Sequence, residues 1–551
     1  MAGVAPRYKP IINVPYGGPP MRLGLLCLIS SAVVVAALWA WLGAPVPMPN
    51  APLKPGEKLY CLSYAPFRDG QTPLDPTTHV SAAQIDEDLT KLAKLTDCVR
   101  TYSTDNGLDQ IAGIAARHGL QVIQGLWLSG HPEKNRDQIA TAVALANRYP
   151  DTIRAVAVGN EVLLRGEMAA GEVVDTLLMV KAQIKQPVTY ADVWEFWLRN
   201  PVVATAADFI TIHILPYWED FPIAADQAAA HVDSIRRRVA AAFPGKEVLI
   251  GEVGWPSAGR MREGALPSLA NQARVIQDVL ALAKREKFHV NIIEAFDQPW
   301  KRALEGTVGG RWGLLDAKNR AFKFVWGEAV SNHPQWKLQG AAGIGFAVLV
   351  FAAAFLRRRR GAAPSLCLAV MANAIAGGAL IGWSVANVPI ESLGLGGWLR
   401  SLALVTLAFA APLALSAAIM RGTAVPPFWR IIGPSAERER DALARLAGAL
   451  LIVLTVMGIL VALGLVFDPR YRDFPFAPLT AAAVPFLVHS LALPRQKGGR
   501  PASEVASAGI LALAVPYIVL NEGLANWQSL WLCAALAALA VTLARVRDGR
   551  G

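Results

Sequence analysis

"LIGEVGWPSAG", residues 249–259, runs through β-branched and aliphatic side chains to one carboxylate, Glu252, and then turns at once on Gly-Trp-Pro-Ser. An apolar run that ends on a lone acid reads as a buried strand with a chemical group at its mouth. The fold therefore depends on how many such runs surround it. Working outward, seven others recur: "LYCLSYAPF", "CVRTYS", "LQVIQGLWL", "IRAVAVGNE", "PVTYADVW", "DFITIHILPYW" and "VNIIEAFDQPW". The intervening stretches, such as "SAAQIDEDLTKLAKL" with a Ser before its acidic residues, have the spacing of capped amphipathic helices. Eight rounds of strand and helix over roughly 250 residues predict an α/β fold, a (β/α)8 TIM barrel, across residues 50–337.

Barrel enzymes gather their chemistry at the C-terminal ends of the strands. There the fourth run, in "AVAVGNEVLLRGE", brings out a second acid, Glu161, just after Asn160. A single Glu at a strand end is most often a surface or salt-bridged residue. Two at the mouths of strands four and seven face each other across the opening, as a retaining glycosidase requires: one carboxylate attacks the anomeric carbon, and the other donates and then removes a proton. Glu252 is assigned as nucleophile and Glu161 as acid/base, with the expectation that the ionised nucleophile raises its partner's pKa and keeps it protonated.

Sugar rings pack on aromatic faces, and Trp127, Trp194, Trp197, Tyr217, Trp218, Trp255, Trp300 and Trp312 fall at or just beyond the strand ends. A Trp in a barrel is ordinarily core; Trp255 and Trp300, each close behind a cleft residue, are the expected sugar platforms. Asn160 is placed to bond the 2-hydroxyl. Tyr217 or His213 from the sixth strand is expected to hold Glu252, a purely structural histidine being the equal alternative. Lys301 either binds a hydroxyl in the cleft or pairs with an acid such as Glu305.

The remainder of the chain reads differently. Its 551 residues are 54% apolar, too much for a purely soluble protein of this size. Residues 23–43 form an uncharged apolar run behind Arg7, Lys9 and Arg22, longer than the h-region of a signal peptide and read as a membrane anchor. Apolar blocks return near 338–356, 365–389, 398–420, 446–467, 475–493, 505–520 and 527–544. The expectation is an all-α transmembrane domain of about eight helices, one N-terminal and seven within residues 338–545, with residues 1–22 and 546–551 cytoplasmic. "RRRR" at 357–360, then Arg430, Arg438, Arg440 and Arg445, then Arg495, Lys497 and Arg500, then Arg545, Arg547 and Arg550 all fall on one side of the alternation. Arg470 and Arg472 on the other side are offset by Asp468 and Asp473. That asymmetry puts the barrel outside, and it accounts for the net charge of +11 without any nucleic-acid partner.

Of five cysteines, Cys27, Cys367 and Cys533 lie in the expected spans. Cys61 and Cys98 are the exported pair; neighbouring first and second strands would allow a disulfide between them without requiring it, and free thiols are the favoured expectation. No Cys/His spacing suggests a metal site, and no glycine loop suggests a nucleotide, so neither metal nor cofactor is expected. The spans carry almost no ionisable group at mid-length, which argues against an ion pathway; "AIAGGALIG" reads as close helix packing, and His489 as a packed or interfacial residue.

At these residues the chain resembles glycoside hydrolase family 17, whose members act on β-1,3-linked glucans. "VGNE" carries the family's acid/base onto Glu161 and "GEVGWPS" its nucleophile onto Glu252; "VRTYSTD" implies that Tyr102 lies at the cleft, and "FDQPWK" with "RWGLLDAKNRAFKF" resembles the closing strand and final turn. Gln298 departs from the pattern where relatives often carry an acid, which puts the charge around the nucleophile in question. The layout with a multi-span tail resembles proteobacterial β-1,6-glucan synthases, which implies a multi-pass protein of the bacterial inner membrane with its catalytic domain in the periplasm. The function expected is a transglycosylase that elongates or branches β-1,3/β-1,6-glucan, with β-glucan as donor and acceptor, the lipid bilayer as surroundings and a glucan synthase as a conceivable partner. A membrane-anchored endo-β-1,3-glucanase using the same acids, and a glycan-binding module of an export scaffold, are the alternatives.

Overall fold

The computed structural model describes residues 19–359, 363–434 and 438–548. Arg7 and Lys9, most of the expected cytoplasmic N-terminus, Arg360 of the basic run, and Arg550 with the end of the tail lie outside the described residues.

Eight parallel strands close into a barrel in strict sequence order: β1 (Cys61–Ser63), β2 (Cys98–Arg100), β3 (Gln121–Leu126), β4 (Ile153–Asn160), β5 (Val188–Val193), β6 (Ile210–His213), β7 (Val248–Val253) and β8 (Val290–Ile292). The ring is sealed where Cys61 pairs with Asn291. Helices of the outer layer turn one apolar face inward. In Ala82–Leu92, for example, Ile85, Leu89 and Leu92 are buried and the Ser81 side chain accepts from the Gln84 N–H at the start. The barrel interior is a separate small core of Cys61, Cys98, Ile123, Ala155, Ala157 and Leu249. Within it Cys61 and Cys98, on neighbouring strands, are joined as a disulfide. Side chains alternate along a strand, so Ser63, two residues beyond Cys61, and Arg100, two beyond Cys98, also enter the barrel, one layer nearer its mouth.

Around the barrel's ends the chain enters an apolar bundle. Helix Pro19–Leu42 leads out of it and helix Trp336–Leu356 leads back in, and the two pack together, joined near the barrel by the Ser331 hydroxyl on the Gly43 carbonyl. Leu366–Glu391, Gly394–Arg421, Ala442–Phe467, Phe476–Ala492, Ala502–Glu522 and Trp527–Arg545 complete the set. Seven of these eight are long and apolar enough to cross a membrane. The eighth, Phe476–Ala492, has 17 residues, about 25 Å of helix against a hydrocarbon core of about 30 Å. Most of its surface is covered, by helices 366–391, 394–421 and 527–545, so it needs less contact with lipid. Close approach depends on glycine as the sequence suggested: a Cβ on Gly343 would meet the Gly378 carbonyl oxygen at 2.1 Å. His489 is packed, its Nε2 2.8 Å from the Thr423 carbonyl oxygen.

Candidate active site

Glu252 is the next-to-last residue of β7 and is 5% exposed. Glu161 follows β4 directly, in a turn where Gly159 (φ 93°) and Glu161 itself (φ 53°) take left-handed backbone. A glutamate is strained there. The turn is secured by the Glu161 N–H on the Ala191 carbonyl (2.8 Å) and by Arg165, which donates to the carbonyls of Asn160 and Leu128. Its consequence is that Asn160 and Glu161, consecutive in sequence, both reach the site.

A carboxylate oxygen of Glu161, a ring nitrogen of His213 and a carboxylate oxygen of Glu252 all lie within 4.8 Å of one another. Such a separation matches the ~5 Å of a retaining pair and falls short of the ~6.5–9.5 Å that leaves room for a water in an inverting one. His213 lies between the acids, Nδ1 2.7 Å from Glu161 Oε1 and Nε2 3.6 Å from Glu252 Oε1.

Arg100 organises this layer from the barrel interior. Its guanidinium donates to the Gly251 carbonyl (2.7 Å), Glu252 Oε1 (3.0 Å) and Asn160 Oδ1 (2.5 Å), and lies 3.3 Å from His213 Nε2. Tyr102 also donates to Glu252 Oε1 (2.9 Å) and stands 2.7 Å from Ser63 Oγ, which accepts from Asn291. Both donors therefore hold Oε1, and among the described residues none bonds Oε2. Glu161, His213 and Glu252 have enough ligand atoms for a cation, but the fixed positive charge of Arg100 against two of the three opposes one.

Electrostatics depart from the expectation that Glu161 is held protonated by its partner. Burial pushes the Glu161 carboxyl up, yet the hydrogen bond and charge of His213, with the charges of Arg100 and Arg165, together bring it below the usual carboxylate range. The two acids alone would raise it; the imidazole and the arginines reverse the sign. A second acid does stay high: Glu294, just beyond β8, is pushed up to about 7, by burial above all and by the charges of Glu252 and Glu305, against Lys301. Burial works to lower Lys301, but the surrounding acids lift it to about 12. The two are paired at 3.0 Å.

Other expected residues divide. His213, not Tyr217, reaches Glu252; Tyr217 is fully buried and donates to the Arg260 carbonyl, fixing the loop after β7. Trp255 is also fully buried, its Nε1–H on the Leu266 carbonyl, so it cannot present a face to a sugar. Trp194 is 8% exposed, with its ring beneath Arg238 of the outer helix Ala228–Ala242. Trp300 is half-buried, bonded to Gln298 Oε1 (2.9 Å) and edge-on to Phe67. Trp127 is 41% exposed, with the Arg165 guanidinium 4.3 Å from its ring centre. Lys301 pairs with Glu294 rather than Glu305. Gln298, at the position where the resemblance implies an acid, is buried and donates to the Ala65 carbonyl, while an acid that feels Glu252 comes from Glu294, four residues earlier. Arg100, Ser63, Asn291, Glu294 and Asp192 were missed. Arg100 and Ser63 were legible only as charged and polar residues ending short apolar strands. Asp192, at the end of β5, is lifted to about 6, first by burial, and feels Glu161 and His213.

The family model for the BtgE/BtgC glycoside hydrolase domain matches residues 61–313. That match takes in most of the barrel and just under half of the chain. The chain is 28% identical over 258 residues to the glucan 1,3-beta-glucosidase of Schizosaccharomyces pombe, covering 43% of this chain and 78% of that one. It is 28% identical over 228 residues to the probable beta-glucosidase btgE of Neosartorya fischeri, covering 40% of each. The chain thus spans well under two thirds of some of the curated relatives it matches. Among solved structures it is similar to the glycoside hydrolase family 17 β-1,3-glucanosyltransferase of Rhizomucor miehei, at 26% identity and a TM-score of 0.43, covering 49% of this chain and 98% of that one.

Proposed function

We propose that the chain is a membrane-embedded retaining enzyme of β-glucans that transfers glucosyl units from a β-1,3-linked donor to a sugar hydroxyl, with Glu252 as nucleophile and Glu161 as acid/base. The carrying observation is that the carboxylates of β4 and β7 stand within 4.8 Å of each other, one of them held at a single oxygen. Glu252 Oε2 attacks the anomeric carbon while Glu161 protonates the departing oxygen, and an ester to the sugar forms as the glycosidic bond breaks. An acceptor hydroxyl then gives its proton to Glu161 and attacks the same carbon, and Glu252 leaves as a carboxylate. The configuration is retained, and one glycosidic bond replaces another, so no activated donor is needed. Because Glu161 is ionised in the free site, the proton it donates is taken up as a bound sugar expels water and strengthens the effect of burial.

The Cys61–Cys98 disulfide supports an oxidising compartment outside the inner membrane, and the arginine-rich loops of the far side support their placement in the cytoplasm. The test is to incubate the full chain with laminari-oligosaccharides and analyse product length and linkage. Products longer than the donor, or 1,6-linked, are expected; only shorter ones would replace transfer by hydrolysis. Glu252→Gln lowers both by about 10⁴-fold or more, and retained turnover would overturn the assignment.

A further inference from the structure

The membrane part does not merely hold the barrel. Its loop between helices Ala442–Phe467 and Phe476–Ala492 lies against the barrel's mouth, where Thr307 donates to Asp473 (2.6 Å) and Arg260 donates to the Pro469 carbonyl. Between these two ties stands Tyr471. Its backbone and Cβ press on Gly306, where an added Cβ would meet the Tyr471 carbonyl oxygen at 2.4 Å. Its ring stands edge-on to Trp218, from the loop after β6, at 6.1 Å between centroids.

Each ring has an arginine over one face, Arg470 at 5.4 Å from the Tyr471 ring centre and Arg262 at 5.3 Å from that of Trp218, and both keep some exposed surface. Tyr471 is 37% exposed and Trp218 is half-buried. The residue beside Gly306, Glu305, is close enough to the centre for its carboxyl to feel Lys301, Glu161 and Glu252. An aromatic pair at the rim, packed on Gly306 next to the Glu305 side chain, has what a pyranose ring needs: an apolar ring surface for its C–H face and an acceptor for its hydroxyls.

We propose that Tyr471, with Trp218 and Glu305, forms a glucan-binding subsite at the mouth of the barrel, so that the cleft is completed by a residue of the membrane part. The occupant is a glucosyl ring of a chain that extends out of the catalytic centre, and contact there favours long donors and acceptors over short ones. The inference rests on the proposed β-glucan activity and adds a residue that the barrel alone does not contain.

The test uses the full chain in detergent or lipid discs, with laminari-oligosaccharides of increasing length. Tyr471→Ala raises KM by about five- to tenfold for the longest chains and progressively less for shorter ones, with a smaller change in kcat. Tyr471→Phe, which keeps the ring, stays close to wild type. Tyr471→Leu, which keeps bulk at the Gly306 contact without a flat face, shows the same length-dependent loss and guards against an alanine variant that does not fold. Losses equal at all chain lengths, or no loss, would overturn the subsite and leave Tyr471 as a structural contact. The same length dependence should appear in binding to the inactive Glu252→Gln chain. Absence of turnover in wild type together with length-dependent binding would count against the proposed reaction and not against the subsite.

Discussion

His213 has more influence on the chemistry than its place in an apolar strand suggests. It is the group through which Glu161 is kept ionised in the free site, by a 2.7 Å contact that outweighs burial with help from Arg100 and Arg165. His213→Asn removes that partner, burial prevails, and the Glu161 pKa rises. A general acid fails as pH climbs through its pKa, so the alkaline limb of kcat/KM shifts to higher pH in the variant while kcat falls tenfold or more; a limb that stays or moves down would contradict this role. The two glutamates were legible in sequence because each ends an apolar run at the same edge of a repeating pattern. The charge around them was not, because Arg100, Asn160, His213 and Glu252 come from four strands and meet only when the barrel closes. Trp255 shows the converse limit: its closeness to Glu252 in sequence suggests the cleft, but the tight turn after β7 sends its ring into the core.

The loop after β7, which begins two residues beyond Glu252, is fastened to the membrane part. Arg260 pairs with Glu522 at 2.5 Å with both side chains 6% exposed, its ring contact with Phe474 is at 4.8 Å, and Met261 bonds Gln528 and Asn526. Removing one partner of a buried ion pair leaves an uncompensated charge. Glu522→Ala is therefore expected to cost about 3–5 kcal/mol, read as a lower unfolding midpoint or as easier proteolytic release of the barrel from the bundle, and an unchanged midpoint would contradict the clamp. At this scale the eight strands were readable from their alternation with helices. The docking was not: Arg260, Arg302 and Thr307 look like ordinary loop residues until the turns near 390, 470 and 525 come up beneath them.

Across the whole molecule, contacts with the barrel sort the bundle's connections into two sets. Residues 390–392, 469–473 and 522–528 touch it, through Arg302, Thr307, Arg260 and Met261. The alternate connections, which hold Arg357 to Arg359, Arg430, Arg438 and Arg440, and Arg495 to Arg500, lie at the opposite helix ends. The sequence reading of the basic loops and the geometry of docking thus agree on the same division, by independent routes. Leu524→Cys is expected to react with a membrane-impermeant thiol reagent on intact cells and Lys497→Cys only after the membrane is opened, the native thiols Cys27, Cys367 and Cys533 being buried; the reverse labelling would invert the orientation.

The proposed reaction passes through a covalent bond between Glu252 and a sugar. The most direct measurement treats the full chain with a 2-fluoro-β-glucoside bearing a good leaving group, so that the ester forms faster than it is resolved, and locates the added mass by peptide mass spectrometry. A glucosyl adduct on the peptide that carries Glu252, absent in Glu252→Gln, is the predicted result. An adduct on Glu161, or product released with inverted configuration and no adduct, would contradict it.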